Sequence, residues 1–484
     1  MYRLTTTVLA VVIALHSGSV GAAIGDELGF LTPEPLVYGR NFGTDVAMDG
    51  GFLAVTAPLE LSGRGAVYVY DPVTRQPLYR LTESALPGID NAVLTGLEVD
   101  IDAGRLIVGL GGDWGNGFNS GGAAVYDLST GARTRLLVSD DGEFNDFFGV
   151  GVAIEGSVAL VGAPRDDDAG QDAGAVYVFD VNTGAQLDKL YASDPGPGDR
   201  FGSAIDVDNG VAIVGARNHR RELQASGAAY VFDVASGSEL LKLTTNIELL
   251  GAEFGGAVAI DDGVALVGAL GAGTTASGMM GQGAAYLFDL STGAQLEELL
   301  PSSPVTRRFG QRVDLDDGVA VVGAPSGGAG FAYLFDVLTG TRIARVQPAE
   351  VGFDETFGYA VAVDGGQAAI GALRGGLEDL FGTPTGAVYL FDAGLEQQPG
   401  DFNGDGRVDN TDLNLLLVHW GEAVPPRPEG WLGVAPSGPL VDNDELNALL
   451  QVWGFGTSVS VPEPVSALLI SAAMVFPAIC RRAR

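Results

Sequence analysis

Oxygen-bearing side chains recur at a fixed spacing near the C-terminal end of the chain. Residues 401–412 read DFNGDGRVDNTD. Asp401, Asn403, Asp405, Asp409 and Asp412 fall at loop positions 1, 3, 5, 9 and 12, and Gly406 stands at position 6, where such a loop needs its sharp turn. Arg407 at position 7 would offer its backbone carbonyl. A hard divalent cation takes roughly six to eight oxygens in this arrangement, so one calcium ion is expected here, with Asp409 acting through a water. Leu413, Leu416, Leu417 and Trp420 then recur at helical spacing, so the loop feeds a helix.

Other chemistry is sparse. Of the three histidines, His16 lies near the N-terminus, His419 in that helix, and His219 alone in a central loop, where it reads as solvated rather than catalytic. Cys480 is the single cysteine, so the body of the chain has no thiolate nucleophile and no disulfide. No His cluster could hold zinc, and no Gly-rich phosphate loop precedes a helix. A pair of carboxylates could hydrolyse glycosides, but 61 Asp and Glu residues hide any such pair. Asp166, Asp167, Asp168 and Asp172 could hold a cation, with a solvated loop as the plainer reading. The formal net charge of −35 repels phosphate backbones, so nucleic acid is not an expected partner. On so acidic a chain the basic cluster Arg217, His219, Arg220 and Arg221 stands out, and it is the candidate site for an anionic glycan or an acidic protein segment.

The two ends carry addresses. Arg3, the apolar run Val8–Leu15 and the small residues Gly21–Ala22–Ala23 form a secretory signal, which places residue 24 at the start of the exported chain. At the other end, Val465–Cys480 is free of charge and is followed by Arg481, Arg482 and Arg484. Such a segment would hold the chain in a membrane with the arginines in the cytoplasm. Together with Val461, Pro462, Glu463 and Pro464 before it, this order resembles the PEP-CTERM sorting signal. The resemblance implies an exosortase-type processing enzyme, transient anchoring by the tail, and a cell-surface or extracellular destination.

Between the ends one unit recurs. Gly43, Gly96, Gly149, Gly202, Gly255, Gly310 and Gly358 open its copies, and Asp71, Asp127, Asp180, Asp233, Asp289, Asp336 and Asp392 each follow an apolar run. In the copy at Gly149, Val152–Glu155, Ser157–Gly162, Gly174–Phe179 and Gln186–Tyr191 read as four short strands, the first two joined by a tight turn. Runs such as Ala175–Phe179 are apolar on both faces, and strands of that kind need cover on both sides. Radially stacked four-stranded blades provide it, which predicts an all-β, seven-bladed propeller. The last copy lacks a fourth strand, and residues 29–43 align with 242–255, placing Leu31–Thr32 on Leu243–Thr244, so residues 24–32 are expected to supply the missing outer strand.

The pairs Phe201–Gly202, Phe254–Gly255, Phe309–Gly310 and Phe357–Gly358, with Gly162–Ala163–Pro164 and Gly323–Ala324–Pro325, resemble the FG-GAP repeat of integrin α-chain propellers in its bacterial variant. That family's calcium loops do not carry over, because the turns between first and second strands are too short. Residues 401–454 resemble a type I dockerin, an EF-hand-like helical module. Its second helix would be ELNALLQVWG, but its second loop keeps only Asp442 and Glu445. The resemblance implies a cohesin-like partner. The expected layout is a signal peptide over 1–23, the propeller over 24–396, the calcium module over 401–456 and the sorting tail over 461–484. The expected function is non-enzymatic binding or adhesion at the surface, with a polysaccharide-degrading glycoside hydrolase and a structural coat protein as alternatives.

Overall fold

The computed structural model describes residues 24–33, 41–60, 65–82, 92–93, 98–112, 119–221, 224–245, 251–272, 281–302, 306–326, 328–349, 356–375, 385–394 and 410–419. Among the described residues seven antiparallel blades follow one another along the chain, six of four strands and one of five. The third blade is Val152–Glu155, Val158–Ala163, Ala175–Asp180 and Ala185–Leu190, each strand within one residue of the sequence expectation. The second blade, the most diverged in sequence, gains a short extra strand, Ala92–Val93, paired to Arg105–Gly112. The first strands of neighbouring blades touch all the way round, from blade 1 to blade 7 and back to blade 1. The sheets therefore close on themselves, which removes the long free edges of an open sheet.

Closure uses the N-terminal segment. Glu27–Leu31 pairs antiparallel with Ala387–Asp392 and completes the last blade as its outer strand. Gly25 N–H donates to the Asp392 carbonyl at 2.7 Å, and Asp392 N–H donates to the Asp26 carbonyl at 3.0 Å. Leu31 is buried where Leu81, Leu190 and Leu243 end the outer strands of other blades.

Seven apolar clusters fill the seven gaps between adjacent blades. This explains why the central strands are apolar on both faces: each side of a blade packs on a different neighbour. The Phe of each Phe-Gly pair is the wedge. Phe201 packs edge-on against Tyr230 and Phe232, with centroids at 5.6 and 5.8 Å, and its N–H donates to the Ala173 carbonyl of the preceding blade. The glycine that follows admits no side chain. Gly202 has φ +87°, and a Cβ there would lie 2.6 Å from the Ala175 carbonyl oxygen.

Outside the blades the described elements are the short hairpin of Arg220–Arg221 and Gln224–Ala225 and the helix Asn410–Val418. The helix begins at position 10 of the acidic loop, so Asp412 at position 12 stands in its first turn. Loop residues 401–409 lie outside the described residues, as do the second helix of the module, the signal segment 1–23 and the tail 461–484. Among the described residues no helix is long and apolar enough to cross a membrane.

Candidate functional site around the propeller axis

The first strand of each blade lines a cavity of about 300 Å³ on the axis. The alternation of a strand sends every second side chain inward, and counting from the repeat glycine gives three tiers. Connections from second to third strand and between blades lie on one face, the loop face. The short turns lie on the other.

The tier at the turn face holds one carboxylate per blade. Each accepts an N–H from the first turn of the next blade. Ala103 donates to Asp49, Gly156 to Asp102, Gly210 to Glu155, Asp262 to Asp208, Asp317 to Asp261 and Gly365 to Asp316, at 2.6–3.1 Å. Gly50 donates to Asp364 and closes the circle. Those turns are two residues long in every blade, which keeps the donors in register. Burial pushes Asp261 up to about 7 and Asp316 to about 6, helped by neighbouring carboxylates.

In the middle tier, acids occupy alternate blades: Asp100, Asp206 and Asp314. Blades 1, 3, 5 and 7 carry Ala47, Ala153, Ala259 and Ala362. Each Asp again bonds across to the next blade. Ile154 N–H donates to Asp100 Oδ2, Ile260 N–H to Asp206 Oδ2 and Val363 N–H to Asp314 Oδ2, all at 2.7 Å. Burial dominates and pushes Asp100 to about 7 and Asp314 to about 8. Asp206, facing both of them, is raised well above the ordinary range by burial and then by their charge.

The tier at the loop face is mixed. Asp45, Glu98 and Arg312 stand where other blades place Gly151, Ala204, Ala257 and Ala360. Arg312 reaches across the mouth, its Nη2 3.7 Å from Glu98 Oε1 and its Nε 3.9 Å from Asp45 Oδ1. Burial pushes Glu98 up to about 8, opposed by Arg312 and assisted by Asp45; Asp45 rises to about 6 for the same first reason. Around this mouth the residue before each described Phe of a Phe-Gly pair is left-handed: Asn41, Phe147, Arg200, Glu253, Arg308 and Thr356, with φ from 53° to 59°. Non-glycine residues rarely adopt this backbone, and it persists only where the surroundings impose it.

The sequence-derived basic cluster does not converge. Arg217 is half-buried, within electrostatic range of Arg200, Glu253, Arg312 and Glu98. Arg220 is exposed on the short strand Arg220–Arg221, and the side chain of Arg221 lies outside what is described. His219 is not solvated, in contrast to the sequence expectation. It is 5% exposed, with Nδ1 2.6 Å from Asp199 Oδ2 and Nε2 2.9 Å from Lys242 Nζ. An ammonium only donates, so Nε2 accepts and Nδ1–H donates to Asp199. Arg217, His219 and Arg220 thus have three different surroundings, because the chain turns into a hairpin after Ala216.

In the acidic loop of the third blade Asp167 and Asp168 are exposed, as a solvated loop requires, but Asp166 is not. Asp166 is buried, and Lys189 Nζ lies 2.8 Å from Asp166, 2.8 Å from Asp141 and 2.7 Å from Asp168. Tyr177 O–H also reaches Asp166 and Asp141. The chain's own ammonium supplies the cation. Among the described residues no group of three or more His, Cys, Asp or Glu could hold a metal ion. Lys242 repeats the device one blade later, against Asp194 at 2.6 Å.

The FG-GAP repeat family matches residues 133–179, 185–232 and 239–288. Each match begins in the outer strand of one blade and ends in the third strand of the next, so the sequence unit is offset from the blade by one strand. No curated protein matches the chain. The chain is a seven-bladed propeller with FG-GAP repeats, a fold that fits surface and adhesion-type proteins in general.

Proposed function

We propose that this is an exported cell-surface or extracellular-matrix binding protein whose propeller presents a recognition face to a glycan or protein. The supporting observation is the difference between the two faces. On the turn face all seven first turns have the same length and are clamped by carboxylates. On the loop face the connections 58–65, 113–121, 164–174, 217–227, 270–283, 325–330 and 373–386 vary in length and chemistry. A rigid frame carrying variable loops is the usual arrangement of a recognition surface. The axial carboxylates are hydrogen-bond acceptors between blades, a structural use that argues for binding over hydrolysis.

In this reading residues 401–412 bind one calcium ion through Asp401, Asn403, Asp405, the Arg407 carbonyl, Asp409 and Asp412. The start of the helix at Asn410 fits that loop. The bound ion would offset the repulsion of the clustered carboxylates and order the module. A cohesin-like partner would dock there, and an exosortase-type enzyme would process the tail. The test is to screen the exported protein on glycan and protein arrays while assaying a polysaccharide panel for new reducing ends. A specific array signal without reducing ends supports the proposal. Release of reducing ends replaces it with a hydrolase, and silence in both assays leaves a coat protein.

A further inference from the structure

Three arginines gather at the loop-side mouth of the axis, and the fold leaves part of their hydrogen-bonding capacity unmet. Among the described residues no hydrogen bond or ion pair reaches the Arg217 side chain, although it is half-buried. Burial, and then the neighbouring Arg200, hold its guanidinium below the ordinary arginine range. Arg312 Nε is buried with no hydrogen-bond partner, and its distances to Asp45 and Glu98 are too long for hydrogen bonds. Burial opposes the ionisation of Glu98, which weakens its hold on Arg312. Three arginines thus stand among three acids, Asp45, Glu98 and Glu253, a local balance far less acidic than a chain of net charge −35. Desolvated, unpaired guanidinium groups are costly unless an anion completes them. Their planar fork matches a carboxylate.

An aromatic ring stands beside them. Tyr359 is half-buried and within electrostatic range of Arg312. A tyrosine ring presents a flat apolar face with a polar tip, on which the ring of a sugar can stack. Resting on the surface-recognition reading above, we infer that Arg200, Arg217, Arg312 and Tyr359 form a subsite for the carboxylate of a uronate-bearing polysaccharide. The ligand's carboxylate meets Arg217 and Arg312, and its ring lies against Tyr359.

The probe is tetragalacturonate, titrated calorimetrically into the exported protein at about 50 mM salt. Controls are its fully methyl-esterified form, which keeps the sugar and loses the charge, and tetraglutamate. Tetragalacturonate should bind, with both controls at least about ten-fold weaker and the affinity falling towards about 0.5 M salt. Arg217→Gln should cost at least about ten-fold in affinity while leaving the melting temperature unchanged or higher, because a repelled charge is removed. That combination separates a binding residue from a structural one. No binding of tetragalacturonate, equal binding of the ester, equal or tighter binding of tetraglutamate, or an Arg217→Gln variant with unaltered affinity would each overturn the inference. If the arrays find a ligand and tetragalacturonate fails, this subsite alone is wrong. If the arrays are silent as well, the recognition reading falls with it.

Discussion

The two mouths of one channel treat charge in opposite ways. At the turn face seven carboxyl groups crowd the axis, yet each has an N–H from the next blade, so the ring works as a circular clamp. At the loop face there are fewer charges and both signs, but Arg217 and the Arg312 Nε are left without hydrogen bonds. The acid ring looks like the more obvious site and is the more completely satisfied one. What distinguishes a candidate site is unmet bonding capacity, not the amount of charge.

If partnering governs, the largest losses should come from removing partners. Deleting residues 24–32 takes the outer strand from the last blade and opens the ring on which both mouths depend. Several strand hydrogen bonds and the buried Leu31 go together, a loss of at least ~5 kcal/mol. A sharply lower melting temperature is expected, and an unchanged melt would remove the closure argument. Next in size is Lys189→Met, which strands the buried Asp166 among other acids at a cost of about 3–5 kcal/mol by chemical denaturation. Rescue of that variant by Asp166→Asn would tie the loss to the unpaired charge.

The middle tier predicts a pH dependence of definite sign. Asp100 and Asp314 titrate near 7 and 8 in the folded protein and near 4 in the unfolded chain. Between those values the folded state holds protons that the unfolded state has released. Stability is therefore full below about pH 4 for these groups and is lost as pH rises through about 8, at about 1.4 kcal/mol per pH unit for each group. Below about pH 4 the exposed turn acids Asp71, Asp127, Asp180, Asp233 and Asp289 act the other way. Their backbone and hydroxyl donors lower their pKa values, so their contribution disappears on acidification. Melting temperature against pH should peak in the mildly acidic range and decline towards pH 8; a curve flat from pH 5 to 8 would contradict the burial of the tier. The smallest effect on stability is expected for a single clamp. Asp102→Ala releases one N–H near solvent, at about 1 kcal/mol in denaturant melts.

The propeller was legible because its constraints are local and repeated. A Phe wedge, a glycine that no side chain can replace and an Asp after each apolar run recur in the copies, and the strand positions follow from them. Even closure by residues 24–32 could be read, since the last copy visibly lacked a strand. The axis was harder. The pairs Asp100–Asp102, Asp206–Asp208 and Asp314–Asp316 advertised inward-facing acids by their period of two, and Arg312 broke a column of small and acidic residues. Among 61 acidic residues that signal needed the ring geometry to stand out. His219 and Asp166 were misread because their partners, Lys242 and Lys189, lie on another strand of the same blade, 23 residues along the chain in each case. Nothing in a loop's own composition reveals a lysine delivered from the sheet beneath it.

The comparison of the two mouths can be decided by one paired titration of tetragalacturonate. Arg217→Gln alters the loop-side mouth, and Asp208→Asn alters the turn-side ring. The account predicts that the first variant loses at least about ten-fold in affinity and that the second binds as the unaltered protein does. Binding weakened by Asp208→Asn and indifferent to Arg217→Gln would place recognition on the opposite face and contradict the account.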